Sequence, residues 1–173
     1  MANFYPYLVS SLPMLHFGNT PPFSFEKFIE MCKDQITEEE LSVIELTKDI
    51  YAAECAQPTL VKWRIFDTAL RNELVKIRAS RKRLDPLKYV RGGDGYIESY
   101  ITHIALGAYR NPSIIEAEKF LDRERWRVLD EFTLGHYFDL DVLIVYALQL
   151  LILARWVRIN SADKSQLLEE VLS

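Results

Sequence analysis

The residues most able to do chemistry are gathered around His136, with Asp130, Glu131, Asp139 and Asp141 close in sequence, the residue types that would collect a cation where two helices meet. The spacing does not favour it. None of His16, His103 and His136 sits in an HExxH, ExxH or HxxxH arrangement, and acids at helix ends ordinarily cap or face solvent. The cluster Gly92-Gly93-Asp94-Gly95 lacks the following Lys-Ser/Thr and the strand-to-helix setting of a phosphate loop, and reads as a flexible turn. No serine or cysteine lies in a GxSxG-type motif, so no triad can be assembled. Cys32 and Cys55, with no CxxC, form neither a disulfide framework nor a zinc site, and are read as reduced cytoplasmic thiols. The reading is therefore of a protein that is not an enzyme, with no catalytic, metal or cofactor-binding residue.

Charge gives more. Residues 62–91 carry ten basic side chains against Asp67, Glu73 and Asp85, while acidic stretches flank them, so the molecule is dipolar. The densest part is Arg78, Arg81, Lys82 and Arg83. It has three readings: cations satisfying a helix C-terminus, a phosphate or lipid-surface patch, and a docking site for an acidic protein partner. Four cations in six residues exceed what capping requires. A second candidate is Arg125. Around it Glu116, Glu118, Asp122 and Glu124 alternate with Lys119, Arg123 and Arg127, and the i,i+3 pairs Asp122/Arg125 and Glu124/Arg127 predict a salt-bridged solvated face. Arg125 itself falls four residues after Leu121, beside the apolar stripe, and reads as a buried or interface arginine with a carboxylate partner.

The elements that position these residues are helices. Ser24 caps a helix over about 24–34, and Thr37 with Glu40 forms a capping box for one over 38–56. Trp63, Phe66, Leu70, Leu74 and Ile77 step at helical spacing through about 59–83, which ends in the basic run. A helix over 96–109 follows the glycines, then one over 112–132 with Asn111 as cap and Pro112 at its first position. Asp139 caps a helix from Leu140 to Ile159 that is apolar on nearly every side, and Leu167, Leu168, Val171 and Leu172 mark a short amphipathic tail helix. Trp63, Trp126 and Trp156 are read mostly as core. The alternation of Tyr5, Tyr7 and Val9 allows a short extended segment whose aromatics tuck inward. The expected fold is an all-α, bundle-like single domain over residues 1–173, of six or seven helices, with a possible hinge at 85–95.

Composition agrees. The 173 residues, 49% hydrophobic and 27% charged, are ample for one core, and a net charge of -4 argues against a general nucleic-acid binder. The apolar start, Met1 to Leu15, lacks a positive n-region and is broken by Pro6 and Pro13, so it is read as mature structure rather than a signal peptide. Leu140 to Val157 contains Asp141, Gln149 and Arg155 and is read as a buried core helix, short of a membrane span.

Several segments carry a resemblance. Tyr7-Leu-Val-Ser-Ser-Leu-Pro13, Pro21-Pro-Phe-Ser-Phe25-Glu-Lys-Phe28 and Ala69-Leu-Arg71-Asn-Glu-Leu74 stand in the first half. Glu116-Ala-Glu118-Lys-Phe-Leu121-Asp122 with Arg125-Trp126, and Phe138-Asp139-Leu140-Asp141 before the Tyr146–Arg155 stretch, stand in the second. Together they resemble a bacterial family of uncharacterised proteins that accompany V-type (A/V-type) ATPase genes and look like a shortened counterpart of the funnel-shaped helical component seated between that enzyme's rotor ring and central stalk. That resemblance implies a non-catalytic, all-helical coupling subunit or accessory protein of a proton- or sodium-transporting ATPase. It would be cytoplasmic, peripheral to the membrane through the complex, and in contact with the central stalk and the rotor ring. It implies no ATPase contact residue at a matching position. The alternative is a stand-alone cytosolic helical adaptor.

Overall fold

A computed structural model describes residues 3–52, 54–92 and 99–172, with side chains as far as Ala162. Among the described residues the chain is all-helical, with seven α-helices, two 3-10 turns and no strand. They are α1 (Pro6–Ser11), α2 (Phe25–Cys32), α3 (Glu38–Glu45), α4 (Pro58–Arg81), α5 (Ser99–Tyr109), α6 (Ile114–Phe132) and α7 (Leu140–Leu172), and the 3-10 turns cover Leu46–Asp49 and Pro86–Lys88. The chain packs as two compact units. Unit 1 comprises Met1–Thr59 and Leu129–Ser173, and unit 2 comprises Leu60–Val128, so the boundaries fall inside α4 and α6.

In unit 1 the core is built around α7. Every residue from Leu143 to Leu150 is buried, and α2, α3 and the first 3-10 turn pack against this helix. The buried face of α2 supplies Phe25, Phe28, Ile29 and Cys32. Phe28 is fully buried, its ring 5.1 Å from that of Tyr146, and burial of such a side chain is worth roughly 1.5–3 kcal/mol. Burial also pushes the Tyr146 phenol up to about 12, which keeps it a proton donor to the Pro13 carbonyl at 3.0 Å. Unit 2 has its own core in Leu60, Trp63, Phe66, Leu70, Ile101, Ile104, Leu121 and Trp126. There Gly107 brings α5 close to α6, since a Cβ at this position would lie 2.9 Å from the Phe120 ring.

Several expectations are corrected. Residues 6–11 are helical, not extended, because Pro6 at the start of α1 has its φ preset for a helix and needs no backbone N–H there. Leu8 is the buried anchor of that turn, whereas Tyr7 points outward, 88% exposed. The helix expected over 38–56 stops at Glu45. Thr47 Oγ1 donates to the Ile44 carbonyl and Asp49 Oδ1 accepts from Tyr51 N, local bonds that compete with an α-helix. Ser113, not Asn111, caps α6, its Oγ accepting from Glu116 N. The break expected after Ile159 is absent. No glycine or proline interrupts, and Ser161 bonds back to the Val157 carbonyl, so α7 runs through 33 residues. Its Leu140–Ala162 portion is long and apolar enough to cross a bilayer, and half of its most apolar window is buried in the structure. Gly93, Asp94 and Gly95 of the glycine cluster and the tail stripe Leu167, Leu168, Val171 and Leu172 lie outside the described residues and side chains.

Candidate functional site: an exposed basic and apolar segment

Helix α4 delivers the basic run to its C-terminal end, where Arg78 and Arg81 stand in the last turn and oppose the negative end of the helix dipole. Arg78, Arg81, Lys82 and Arg83 are all exposed. None has a side-chain ion pair or hydrogen bond among the described residues. The helix closes with a pair of reversed bonds, Leu84 N to the Ala79 carbonyl at 3.0 Å and Arg83 N to the Ser80 carbonyl at 3.1 Å. This is a Schellman ending, and its turning residue must be left-handed. Here it is Arg83, at φ 54°, where glycine is the usual occupant.

Beyond Arg83 the surface turns apolar. Leu84, Leu87 and Tyr89 are 47%, 63% and 57% exposed, and Lys88 lies among them. Asp85 opens the 3-10 turn by accepting from Leu87 N at 3.0 Å, so one carboxylate oxygen faces backbone. The far end of the segment is tied down by Asn72 of α4. Its amide donates to the Arg91 carbonyl at 2.8 Å and accepts from Arg91 N at 3.0 Å. The four cations are legible in the sequence, whereas sequence reasoning missed the apolar residues beside them. A signal for these exists in two leucines and a tyrosine that flank and follow a proline with no helical partner spacing.

Arg125 is placed differently from the interface role considered for it. Its side chain is 12% exposed and lies between two carboxylates, Nη1 2.9 Å from Asp122 and Nε 3.2 Å from Asp67. Asp67 also receives Arg71 at 2.6 Å. The guanidinium is spent inside unit 2, so it offers nothing to a partner. The solvated-face reading thus holds for Glu124 and the exposed Arg127, 3.3 Å apart, and fails for Asp122, which is 1% exposed. The reason is register: Asp122 follows Leu121 onto the buried stripe, and Asp67 of α4 supplies the second acid.

The His136 cluster is only partly assembled. His136 Nδ1 is 2.6 Å from Asp139 and 3.6 Å from Asp141, and ligand atoms of the three lie within 4.8 Å of one another. Asp139 Oδ1 caps α7 through Val142 N, as the sequence indicated, and Asp141 accepts from Gln57 and from Thr59. Asp130 stands apart, accepting from Gln149 at 2.6 Å; desolvation raises its pKa despite that bond. His16 and His103 lie elsewhere in the chain's fold, outside this group. Asp130, Asp139 and Asp141 therefore each have a structural task at or beside a helix terminus. The Cys32 thiol, pushed up to about 12 by burial, is unsuited to nucleophilic work.

Among known proteins, residues 99–173 match the model of a family described as a protein of unknown function (DUF2764), covering α5 to α7. No curated protein and no solved structure matches the chain.

Proposed function

We propose that this protein is a non-catalytic coupling subunit or accessory protein of a bacterial V-type ATPase. It would work on the cytoplasmic side between the central stalk and the membrane rotor ring, held at the membrane through the complex. The observation that carries the docking role is the group Arg78, Arg81, Lys82 and Arg83, four exposed cations with no side-chain partner among the described residues, at the end of a 24-residue helix. Cations left unpaired in this way serve steering and docking better than stability. The assignment to the ATPase rests on the resemblance of the quoted segments. Two of them, Glu116–Asp122 with Arg125-Trp126 and Phe138–Asp141, fall inside the matched residues 99–173.

The test is affinity purification of the tagged full-length protein from gently solubilised membranes of its own host, with mass spectrometry of what accompanies it. Stoichiometric recovery of stalk and rotor-ring subunits is expected, as is its loss in the triple variant R78E/R81E/K82E at unchanged helicity and melting temperature. Recovery of the protein alone from the soluble fraction would overturn the reading and leave the stand-alone adaptor in its place.

A further inference from the structure

We propose that the segment from Arg78 to Tyr89 docks on an anionic phospholipid surface, with Leu84, Leu87 and Tyr89 entering the headgroup layer and the cations meeting lipid phosphates. This rests on reading the segment as a docking surface, and it commits that surface to one occupant. Four features of the segment combine to favour lipid. Five cations, Arg78, Arg81, Lys82, Arg83 and Lys88, face a single acid, Asp85, and that acid already holds the Leu87 N–H. The three apolar side chains are exposed at 47%, 63% and 57%, although a leucine in the position of Leu84 ordinarily folds back over the helix end. Arg83 occupies a left-handed position that glycine would fill without strain, so a cation is kept where the backbone disfavours one. Asn72 ties the distal end to α4 through both backbone atoms of Arg91, which holds the segment as a defined projection rather than a loose loop.

An acidic protein is the rival occupant. A protein interface gathers its apolar residues in a core inside a polar rim, and fixes register by pairing both signs of charge. Here apolar residues and cations alternate within a few positions and the charge is of one sign. A headgroup layer demands no register, accepts apolar side chains to a shallow depth and supplies mobile phosphates, which suits this pattern.

The experiment is co-sedimentation of the purified full-length protein with vesicles of pure phosphatidylcholine and of phosphatidylcholine mixed with phosphatidylserine, at low and high salt, with soluble polyglutamate as competitor. Each cation near an anionic leaflet is worth roughly fivefold in partitioning, so binding to the mixed vesicles should exceed binding to neutral ones by more than about tenfold and fall with salt. L87S/Y89S should lower it several-fold with the fold intact by circular dichroism, and R81E/K82E should remove it. Equal or absent binding to the two vesicle types would overturn the proposal. So would full retention by L87S/Y89S, or polyglutamate bound more tightly than the vesicles, which would point to an acidic protein. Vesicle binding with no ATPase subunits recovered would sink the coupling role and leave lipid docking; recovery of those subunits without vesicle binding would do the reverse.

Discussion

Arg125 and Asp122, one turn apart on α6, form a 2.9 Å ion pair in the interior of unit 2, and Asp67 of α4 completes it from the other side of the guanidinium at 3.2 Å. Asp122 has no water to fall back on, being 1% exposed. R125L should therefore destabilise the protein by about 3–5 kcal/mol, the usual cost of leaving a buried carboxylate uncompensated. Adding D122L to R125L should recover much of that loss. Urea unfolding of the two variants decides, and a single variant within about 1 kcal/mol of the parent would refute the account.

Arg83 gives a prediction of opposite sign. Glycine relieves a left-handed residue, so R83G should raise stability by about 1 kcal/mol while weakening attachment to anionic vesicles. A destabilised R83G would mean that the guanidinium supports the fold.

At Gly107 the close approach of α5 to α6 outweighs helix propensity. Alanine would gain up to about 1 kcal/mol in an unconstrained helix. Here its methyl would lie 2.9 Å from Cζ of Phe120, so G107A should lower the melting temperature, and G107A/F120L should restore it.

Glu40 should set part of the acid sensitivity. Burial pushes its pKa up, but hydrogen bonds from the Tyr5 hydroxyl and from Thr37 outweigh that, and the net direction is downward. A carboxyl depressed in the native state stabilises above its unfolded pKa, and that stabilisation is lost as pH falls through the native value. The Tyr5 phenol, raised to about 12 by burial and then by the neighbouring carboxylate, stays protonated throughout this window. Y5F should cost about 1–2 kcal/mol at neutral pH and flatten the loss of stability on the acid side. An unchanged slope in pH-dependent unfolding would count against this bond.

Around His136 the expectation is structural. D139A removes the cap of α7 and should cost about 1 kcal/mol. Neither a chelator nor added zinc should move the melting temperature of the parent. A zinc-dependent rise that is absent in D139A would reinstate a metal site.

Helices whose signals are local were legible in the sequence. Ser24 and Thr37 with Glu40 cap as their types dictate, and the helix containing Trp63 to Ile77 forms where apolar spacing places it. What escaped depends on competition or on distant partners. The Tyr5/Tyr7/Val9 alternation says nothing of the carboxylate of Glu40 that receives the Tyr5 hydroxyl, nor of the Phe138 carbonyl that accepts Tyr5 N. Helix α3 stops early because Thr47 and Asp49 offer side-chain bonds of their own, a contest that periodicity cannot weigh. The four cations were visible as a run, but whether any was already paired depended on side chains far off in the chain. Arg125 shows the other outcome: one of its two acids lies 58 residues away on α4.

The order of the two units along the chain has a consequence for synthesis. Unit 2 is one continuous stretch, whereas unit 1 is interrupted by it and finishes only with Leu129–Ser173. The ribosome therefore releases every residue of unit 2 before the helix that fills the core of unit 1. Until Leu143–Leu150 emerge, the apolar faces of α2 and α3 have nothing of their own to close on, which makes the nascent N-terminal third the part of this protein most dependent on chaperones.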